Sequence, residues 1–301
     1  MHFKVWRVTR PSTLQLILAP FLIGTIVGTK QGKWHLGWFV ICFIGVIFLH
    51  FAANAVNEWF DFVSGADSLT AKLPDNHITT PGVLLSGDCS VNELRNLVIL
   101  TLSIAAVCGF ALMLGRSFIV GLIFLGGGLL AYYYTAPPLA LAYRGHGLGE
   151  IAVFMGYGLL PAIVAYNTLA PGNIDWQLFV LSTPFGFLAV ALLMEHNYLH
   201  WKADKLAGKR TPIVVFGHTV SWLILGSSIT GCYIALIINV WLGFLSPWVL
   251  LLLLTFYPMF YSWFRLRSSD VISNYITSIQ FTSQTHFLMI IFVIMALLTL
   301  K

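Results

Sequence analysis

Residues 35–67 read HLGWFVICFIGVIFLHFAANAVNEWFDFVSGAD, and this stretch decides the class of fold. From His35 to Asn57 it contains no Asp, Glu, Lys or Arg. An α-helix needs a run of about 20 mostly apolar residues to cross the hydrocarbon core of a bilayer. The stretch therefore predicts a membrane-spanning helix that carries a cluster of polar side chains at one end.

The composition extends this interpretation to the whole chain. Of its 301 residues, 58% are hydrophobic and only 9% are charged, and the mean hydropathy is +0.86. Soluble domains carry about 25% charged residues, and disordered chains combine low hydrophobicity with high charge. The composition excludes both classes and predicts one polytopic membrane domain over residues 1–301.

Apolar segments of spanning length recur along the chain, which predicts an all-α helical bundle with about nine transmembrane helices. Gly24 and Gly28 form a G-x-x-x-G pair in the first segment, a pattern typical of close helix packing. The nine predicted spans are residues 12–29, 35–57, 94–114, 117–134, 148–168, 177–199, 219–241, 246–264 and 281–300.

The basic residues predict the orientation. With the N-terminus in the cytoplasm, twelve Lys and Arg residues lie on the inner side and four on the outer side, as the positive-inside rule requires. Of the eleven acidic residues, only Asp175 falls outside. We therefore expect a protein of the bacterial cytoplasmic membrane whose N-terminus and polar site face the cytoplasm.

The net charge and the cysteine spacing restrict the kinds of ligand and binding partner that we expect. The net charge is +5, but the basic residues are scattered, so nucleic acid is not an expected partner. The four cysteines are widely spaced, which argues against disulfides and thiolate zinc sites. The lipid bilayer is the expected environment, and nothing in the sequence indicates an obligate protein partner.

Four polar side chains share one face at the end of the second span. Asn54, Asn57, Glu58 and Asp61 fall at positions i, i+3, i+4 and i+7, which lie on one side of a helix. Such groups are costly in a membrane unless something satisfies them.

The sixth span ends in a similar stripe, which comprises His196, Asn197, His200 and Asp204. A basic loop follows each stripe: the first holds Lys72, and the second holds Lys205, Lys209 and Arg210. Motif 1 (near 54–67) and motif 2 (near 196–211) thus form a weak internal repeat.

The two stripes indicate a divalent-cation site that also binds phosphate. Carboxylate and carboxamide oxygens suit Mg²⁺, which completes its coordination with water and phosphate oxygens. Cationic loops suit the remaining charge of a polyphosphate. The simpler alternative is that these side chains only cap and pack the helix ends.

Four separated segments carry a resemblance to a known family. Residues 57–67 (NEWFDFVSGAD) look like the first Asp-rich motif of the UbiA superfamily of membrane prenyltransferases. Residues 134–150 (YTAPPLALAYRGHGLGE) resemble a signature of the branch that prenylates 1,4-dihydroxy-2-naphthoate. Residues 10–14 (RPSTL) and 204–211 (DKLAGKRT) are similar to the start of that branch and to the end of its second motif.

This resemblance implies a bundle of helices around a central cavity, in which two acidic motifs hold Mg²⁺ on the diphosphate of an isoprenoid donor. It implies catalytic roles for Asp61 and Asp204. The implied metal ligands are Asn57, Glu58, Asp61, Asp67, Asn197, His200 and Asp204. The implied substrate-binding residues are Arg10, Asn54, Lys72, Tyr134, Arg144, Lys209 and Arg210, of which Arg10 is a candidate for an anionic aromatic acceptor.

Two residues depart from the family pattern. Glu58 stands where the family usually has Asp, which lengthens the side chain by one methylene. His200 stands where the second motif has its first Asp, so the site loses a charge and gains an imidazole, which suits transition metals better than Mg²⁺.

The implied activity is transfer of a polyprenyl group from polyprenyl diphosphate to an aromatic acceptor, with 1,4-dihydroxy-2-naphthoate in menaquinone synthesis as the expected acceptor. The alternatives are a UbiA-type enzyme with a hydroxybenzoate, porphyrin or specialised phenol acceptor, and an ion-coupled transporter. A further alternative is a histidine metal site at His196, His200 and Asp204, although an oxidase of that kind needs more histidines.

Overall fold

The computed structural model describes residues 2–72, 82–172, 175–267 and 272–299, without the side chains of 2–4 and 70–72. Thirteen α-helices account for most of this part of the chain, which contains no strand. The helices, in order, are α1 (His2–Thr9), α2 (Leu14–Gln31), α3 (Leu36–Val63), α4 (Ala66–Lys72), α5 (Val91–Gly115), α6 (Phe118–Tyr133), α7 (Leu141–Arg144), α8 (Leu148–Phe154), α9 (Leu160–Leu169), α10 (Trp176–Leu206), α11 (Pro212–Trp241), α12 (Phe256–Arg265) and α13 (Ile272–Thr299).

Each of the nine predicted spans corresponds to a helical segment. Within the described ranges, eight segments are long and apolar enough to cross a membrane. The predicted span 117–134 forms α6, which has only 16 residues and measures about 24 Å at 1.5 Å per residue. Ser117 caps its N-terminus through Ile119 N, and a loop with Pro137 and Pro138 follows its end.

Some of the spans are not continuous α-helices. Between α8 and α9 the chain forms a π-helical segment, Met155–Leu159. A 3₁₀ segment, Pro247–Thr255, leads into α12. π-Helical turns inside α-helices are rare and often lie at functional sites, and this one lies against α10 and α2.

The long helix α10 is the most deeply buried span. It packs against α11, α13, α2 and the π-helical segment. On the other side of the bundle, α3 packs against α5, α6 and α9. The polar C-terminal ends of α3 and α10 lie on the same side of the bundle, because the short helix α4 contacts both.

The G-x-x-x-G pair packs α2 against α9. A Cβ atom at Gly24 would collide with the carbonyl oxygen of Ala162, and one at Gly28 would lie 3.1 Å from Tyr166 Cα. The absence of a side chain thus allows the two backbones to approach closely. The packing predicted from the sequence is present.

We expect Gly24→Ala to lower the midpoint of thermal unfolding of the protein in detergent, because the added methyl group forces α2 and α9 apart. Overpacking of this kind costs about 1–3 kcal/mol. Gly126→Ala on α6 is the matched control, since a Cβ atom there meets nothing within 4 Å. Equal midpoints for the two variants would contradict the close contact.

Candidate active site

A cavity of about 530 Å³ lies inside the bundle, between α2, α3, α6, α10 and α13. One end of its wall is polar and charged. The opposite end is apolar and includes Ile17, Val46, Phe124 and Val164. The cavity therefore suits a long molecule with one strongly polar end and one hydrocarbon end.

Asp61 and Asp204, one from each acidic stripe, meet at the charged end. Lys209 Nζ lies 3.8 Å from Asp61 Oδ1 and 3.9 Å from Asp204 Oδ1. Both carboxylates are buried. One ammonium group thus offsets two carboxylates that burial would otherwise make very costly.

Two further side chains hold the Asp61 carboxylate. Asn57 Nδ2 donates to Asp61 Oδ2 at 2.9 Å, and the Tyr143 hydroxyl donates to Asp61 Oδ1 at 2.5 Å. Burial and the adjacent Asp61 carboxylate raise the pKa of Tyr143 above its usual range. Tyr143 therefore remains a neutral donor that fixes the orientation of Asp61.

The turn after α10 positions Lys209. Gly208 has φ +71°, a left-handed conformation that glycine adopts without strain. This turn brings Lys209 N within 2.8 Å of Asp204 O. The Lys209 side chain is thereby directed back towards the C-terminal end of α10. Burial alone would lower the pKa of Lys209, but Asp61 and Asp204 outweigh it and raise that pKa; Lys209 is therefore charged.

The second stripe faces the cavity along its full length. His196, Asn197, His200 and Asp204 all contribute to the wall. Asn197 Nδ2 donates a hydrogen bond to Glu150 Oε1 at 3.3 Å. Glu150, also in the wall, is the last residue of the 134–150 segment.

Asp67 and Tyr134 complete the polar end. Both line the cavity. Burial, reinforced by the nearby carboxylates of Asp61 and Glu58, raises the pKa of Asp67 to about 7.

Arg10 enters the cavity from a break between α1 and the short 3₁₀ turn Pro11–Thr13, where its φ is +46°. Its Nε and Nη2 atoms are buried without a hydrogen-bond partner, and Glu58 Oε2 lies 4.0 Å from Nη2. Buried donors without partners are costly. The guanidinium group is thus available to an anionic ligand.

Several predicted site residues are not part of the cavity wall. Glu58 is buried away from it and accepts a hydrogen bond from Val83 N at 2.8 Å. Arg144 donates to the carbonyl oxygens of Leu139 (2.7 Å) and Pro138. Arg210 is exposed, and the side chain of Lys72 lies outside the described residues. Asn54 does line the cavity, where Nδ2 donates to His50 O at 3.0 Å.

The structure adds residues that the sequence interpretation did not place among the site residues. Tyr143 lies inside the 134–150 segment that carries the family resemblance, but the sequence did not predict its hydrogen bond to Asp61. His50 precedes Asn54 by four residues and extends the first stripe by one turn, a spacing that could have identified it. Tyr157 also lines the cavity, on the π-helical segment.

In the part of the chain that the structure describes, the cavity offers metal ligands but no complete protein coordination shell. Among the described residues, no three His, Cys, Asp or Glu side chains are grouped closely enough to hold a metal alone. Asp61, Asp204 and the carboxamides of Asn57 and Asn197 would each supply oxygen. A hard divalent cation bound there would draw its remaining ligands from water and from a bound anion.

Comparison with known proteins identifies the family. A profile of the UbiA prenyltransferase family matches residues 17–291, and the chain belongs to this family. It is 24% identical to the 1,4-dihydroxy-2-naphthoate octaprenyltransferase of Bacillus subtilis (strain 168), over 94% of this chain and 88% of that one. It is 28% identical to the 2-carboxy-1,4-naphthoquinone phytyltransferase of Synechocystis, over 85% and 80% respectively.

Solved structures share the fold. A UbiA homolog from Archaeoglobus fulgidus bound to GPP and Mg²⁺ has a TM-score of 0.60 at 18% identity, over 96% of this chain and 86% of that one. A digeranylgeranylglyceryl phosphate synthase has a TM-score of 0.68 at 14% identity, with coverage of 99% and 98%. The comparisons therefore favour the prenyltransferase interpretation over the transporter and the histidine metal site.

We expect Lys209→Gln to destabilise the protein in metal-free buffer, because Asp61 and Asp204 are then buried without a cation. Removing one partner of a buried ion pair costs on the order of 3 kcal/mol. Addition of a divalent cation should recover part of the lost thermal stability. Arg210→Gln, one residue away and exposed, should behave like wild type; a similar effect of both variants would contradict the shared-cation arrangement.

Proposed function

We propose that this UbiA-family chain transfers a polyprenyl group from polyprenyl diphosphate to 1,4-dihydroxy-2-naphthoate, a step of menaquinone synthesis, inside the membrane. The names of the relatives support this acceptor, because both are enzymes of naphthalenoid substrates. A hydroxybenzoate, porphyrin or specialised phenol is the alternative acceptor. The basic residues support a cytoplasmic membrane location with the charged end of the cavity facing inward.

One observation carries the proposal: two buried carboxylates and a lysine lie at the end of a cavity whose other end is apolar. A polyprenyl diphosphate has the same polarity, with up to three negative charges at one end and a hydrocarbon chain beyond. Because the site lies within a bundle of membrane helices, the hydrocarbon chain of the substrate can remain in an apolar environment throughout.

Mg²⁺ is the cofactor that suits the charged end. Asp61 and Asp204 would hold it with Asn57 and Asn197, whose hard oxygen atoms match its preference. Asp67 and His200 stand beside these residues in the cavity wall. We do not expect Glu58 to bind the metal, because its carboxylate accepts a hydrogen bond from Val83 N and lies beside the guanidinium group of Arg10. When bound, Mg²⁺ supplies positive charge to the diphosphate that departs in the reaction.

The residues of the chain itself supply binding, orientation and exclusion of water. Among the residues that the structure describes, Lys209 and Arg10 are the Lys and Arg side chains of the wall, and both can bind the anionic parts of the substrates. The C–O bond to the diphosphate breaks as the electron-rich ring attacks the allylic carbon, and diphosphate leaves with the bonding electron pair. With 1,4-dihydroxy-2-naphthoate as the acceptor, the alkylated ring then loses its carboxylate as CO₂ and becomes aromatic again. The cation-like carbon is short-lived in water, so the apolar wall around Val46, Phe124 and Val164 protects it.

Asp61→Asn and Asp204→Asn should each abolish prenyl transfer while the protein still inserts and folds. Each substitution removes an anionic metal ligand but keeps the shape of the side chain. We would measure transfer of radiolabelled polyprenyl groups by purified protein, with thermal unfolding as the test of folding.

Asp88→Asn is the matched control, since Asp88 is a surface carboxylate paired with Arg7 at 2.8 Å and should tolerate the change. Near-normal turnover by both Asp61→Asn and Asp204→Asn would overturn the assignment of the metal site.

His200→Asp should lower the Mg²⁺ concentration needed for half-maximal activity, because it adds an anionic oxygen where the chain has an imidazole. His200→Ala separates two roles, since a loss of donor affinity would indicate that His200 contacts the diphosphate. Unchanged metal dependence, donor affinity and turnover in both variants would place His200 outside the site.

A further inference from the structure

We propose that Tyr157 and His50 form a hydrogen-bonding site for a ring hydroxyl of the aromatic acceptor. This inference rests on the proposed function and assigns the acceptor a position within the same cavity. Both residues line the cavity wall, and their rings meet edge to face with centroids 5.9 Å apart.

The hydrogen bonds around His50 determine which ring nitrogen carries the proton. Thr13 Oγ1 donates its only hydrogen to Arg10 O at 2.7 Å, so it must accept from His50 Nε2, which lies 3.2 Å away. In the neutral ring, His50 Nδ1 then bears a lone pair. That lone pair faces the Tyr157 hydroxyl at 3.5 Å.

The neighbouring amide is consistent with this assignment. Asn54 Nδ2 also lies 3.1 Å from His50 Nε2. Its two hydrogens have backbone acceptors of their own, because it donates to His50 O at 3.0 Å and to Thr9 O at 3.4 Å. His50 Nε2 is thus held by Thr13 without needing to accept from Asn54, and the open nitrogen Nδ1 points to Tyr157.

This orientation makes the Tyr157 oxygen an acceptor. Its hydrogen points to His50 Nδ1, so its lone pairs are left for a ligand that can donate. A phenolic hydroxyl is such a donor. A hydrocarbon chain has no donor, and ionised diphosphate and carboxylate groups only accept, so the geometry selects the acceptor's hydroxyl among the groups that enter the cavity.

The depth of the pair also separates it from the donor's diphosphate. His50 precedes Asp61 by eleven residues on α3, about 16 Å along the helix axis. It lies between the charged end and the apolar residue Val46 on the same helix. The π-helical segment changes the helical register and carries Tyr157 in the wall at this level.

A hydrogen bond to the ring hydroxyl would assist the reaction as well as binding. As the ring attacks the allylic carbon, it loses electron density and its hydroxyl becomes more acidic. The hydrogen bond to Tyr157 then becomes stronger in the transition state than in the bound substrate, which is the condition for a rate enhancement.

The experiment compares three acceptors: 1,4-dihydroxy-2-naphthoate and its two mono-O-methyl ethers, each with a saturating polyprenyl diphosphate and Mg²⁺. In wild type, one ether should have a kcat/KM about 10- to 100-fold below the parent, because it leaves a buried acceptor unpaired. In Tyr157→Phe this ratio should fall to within about threefold, with the KM for the donor unchanged. Tyr133→Phe is the matched control, since Tyr133 lies on α6 outside the cavity wall.

His50→Gln tests the second member of the pair. Its amide can still donate to Thr13 but offers no acceptor at the position of Nδ1, so it should also reduce discrimination between the parent and the ether. If this variant fails to fold, Tyr157→Phe alone decides the question.

Two results would overturn the inference. One is a Tyr157→Phe protein that loses activity equally with the parent and both ethers, as a merely structural role requires. The other is a rise in the KM for the donor with unchanged acceptor discrimination. A wild-type protein that prenylates none of the three compounds would instead refute the proposed function.

Discussion

Two carboxylates, Asp61 and Asp204, are buried between membrane helices around a single ammonium group, and the rest of the cavity is arranged about this interaction. An isolated charge in an apolar medium is far too costly to persist. The cost here is offset by contacts from three parts of the chain: Asn57 on α3, Tyr143 on α7 and the turn that carries Lys209. Each element is thereby fixed relative to the others, and the polar end of the cavity is organised before any substrate arrives.

The fold was largely predictable, because the hydrocarbon core of a bilayer imposes a minimum apolar length on every span. All nine predicted spans correspond to helical segments. Their internal irregularities were not predictable: the π-helical segment at Met155–Leu159 and the 3₁₀ segment before α12 have the same apolar composition as regular helices. Hydropathy reports the length of a span but not the hydrogen-bond register within it.

The helical periodicity of the sequence located the two polar stripes. It could not predict which residues from other segments would contact each side chain of a stripe. Glu58 shares the stripe of Asn57 and Asp61, yet the backbone N–H of Val83, far away in sequence, holds its carboxylate. Arg144 satisfies carbonyl oxygens of its own loop, whereas Lys209 reaches the cavity because Gly208 reverses the chain. Such choices depend on contacts between distant segments. The family resemblance carried the broad function, while the ligand roles of the individual residues remain predictions.

The shortness of α6 connects the cavity to the lipid around it. At about 24 Å the helix is shorter than the hydrocarbon thickness of an ordinary bilayer, about 30 Å, and such a hydrophobic mismatch is relieved by local thinning of the membrane or by reorientation of the helix. Phe124 and Gly127 of α6 form part of the apolar wall. Any reorientation of α6 therefore displaces the surface that would hold the prenyl chain, and acyl-chain length in the host membrane becomes a physical variable of substrate binding.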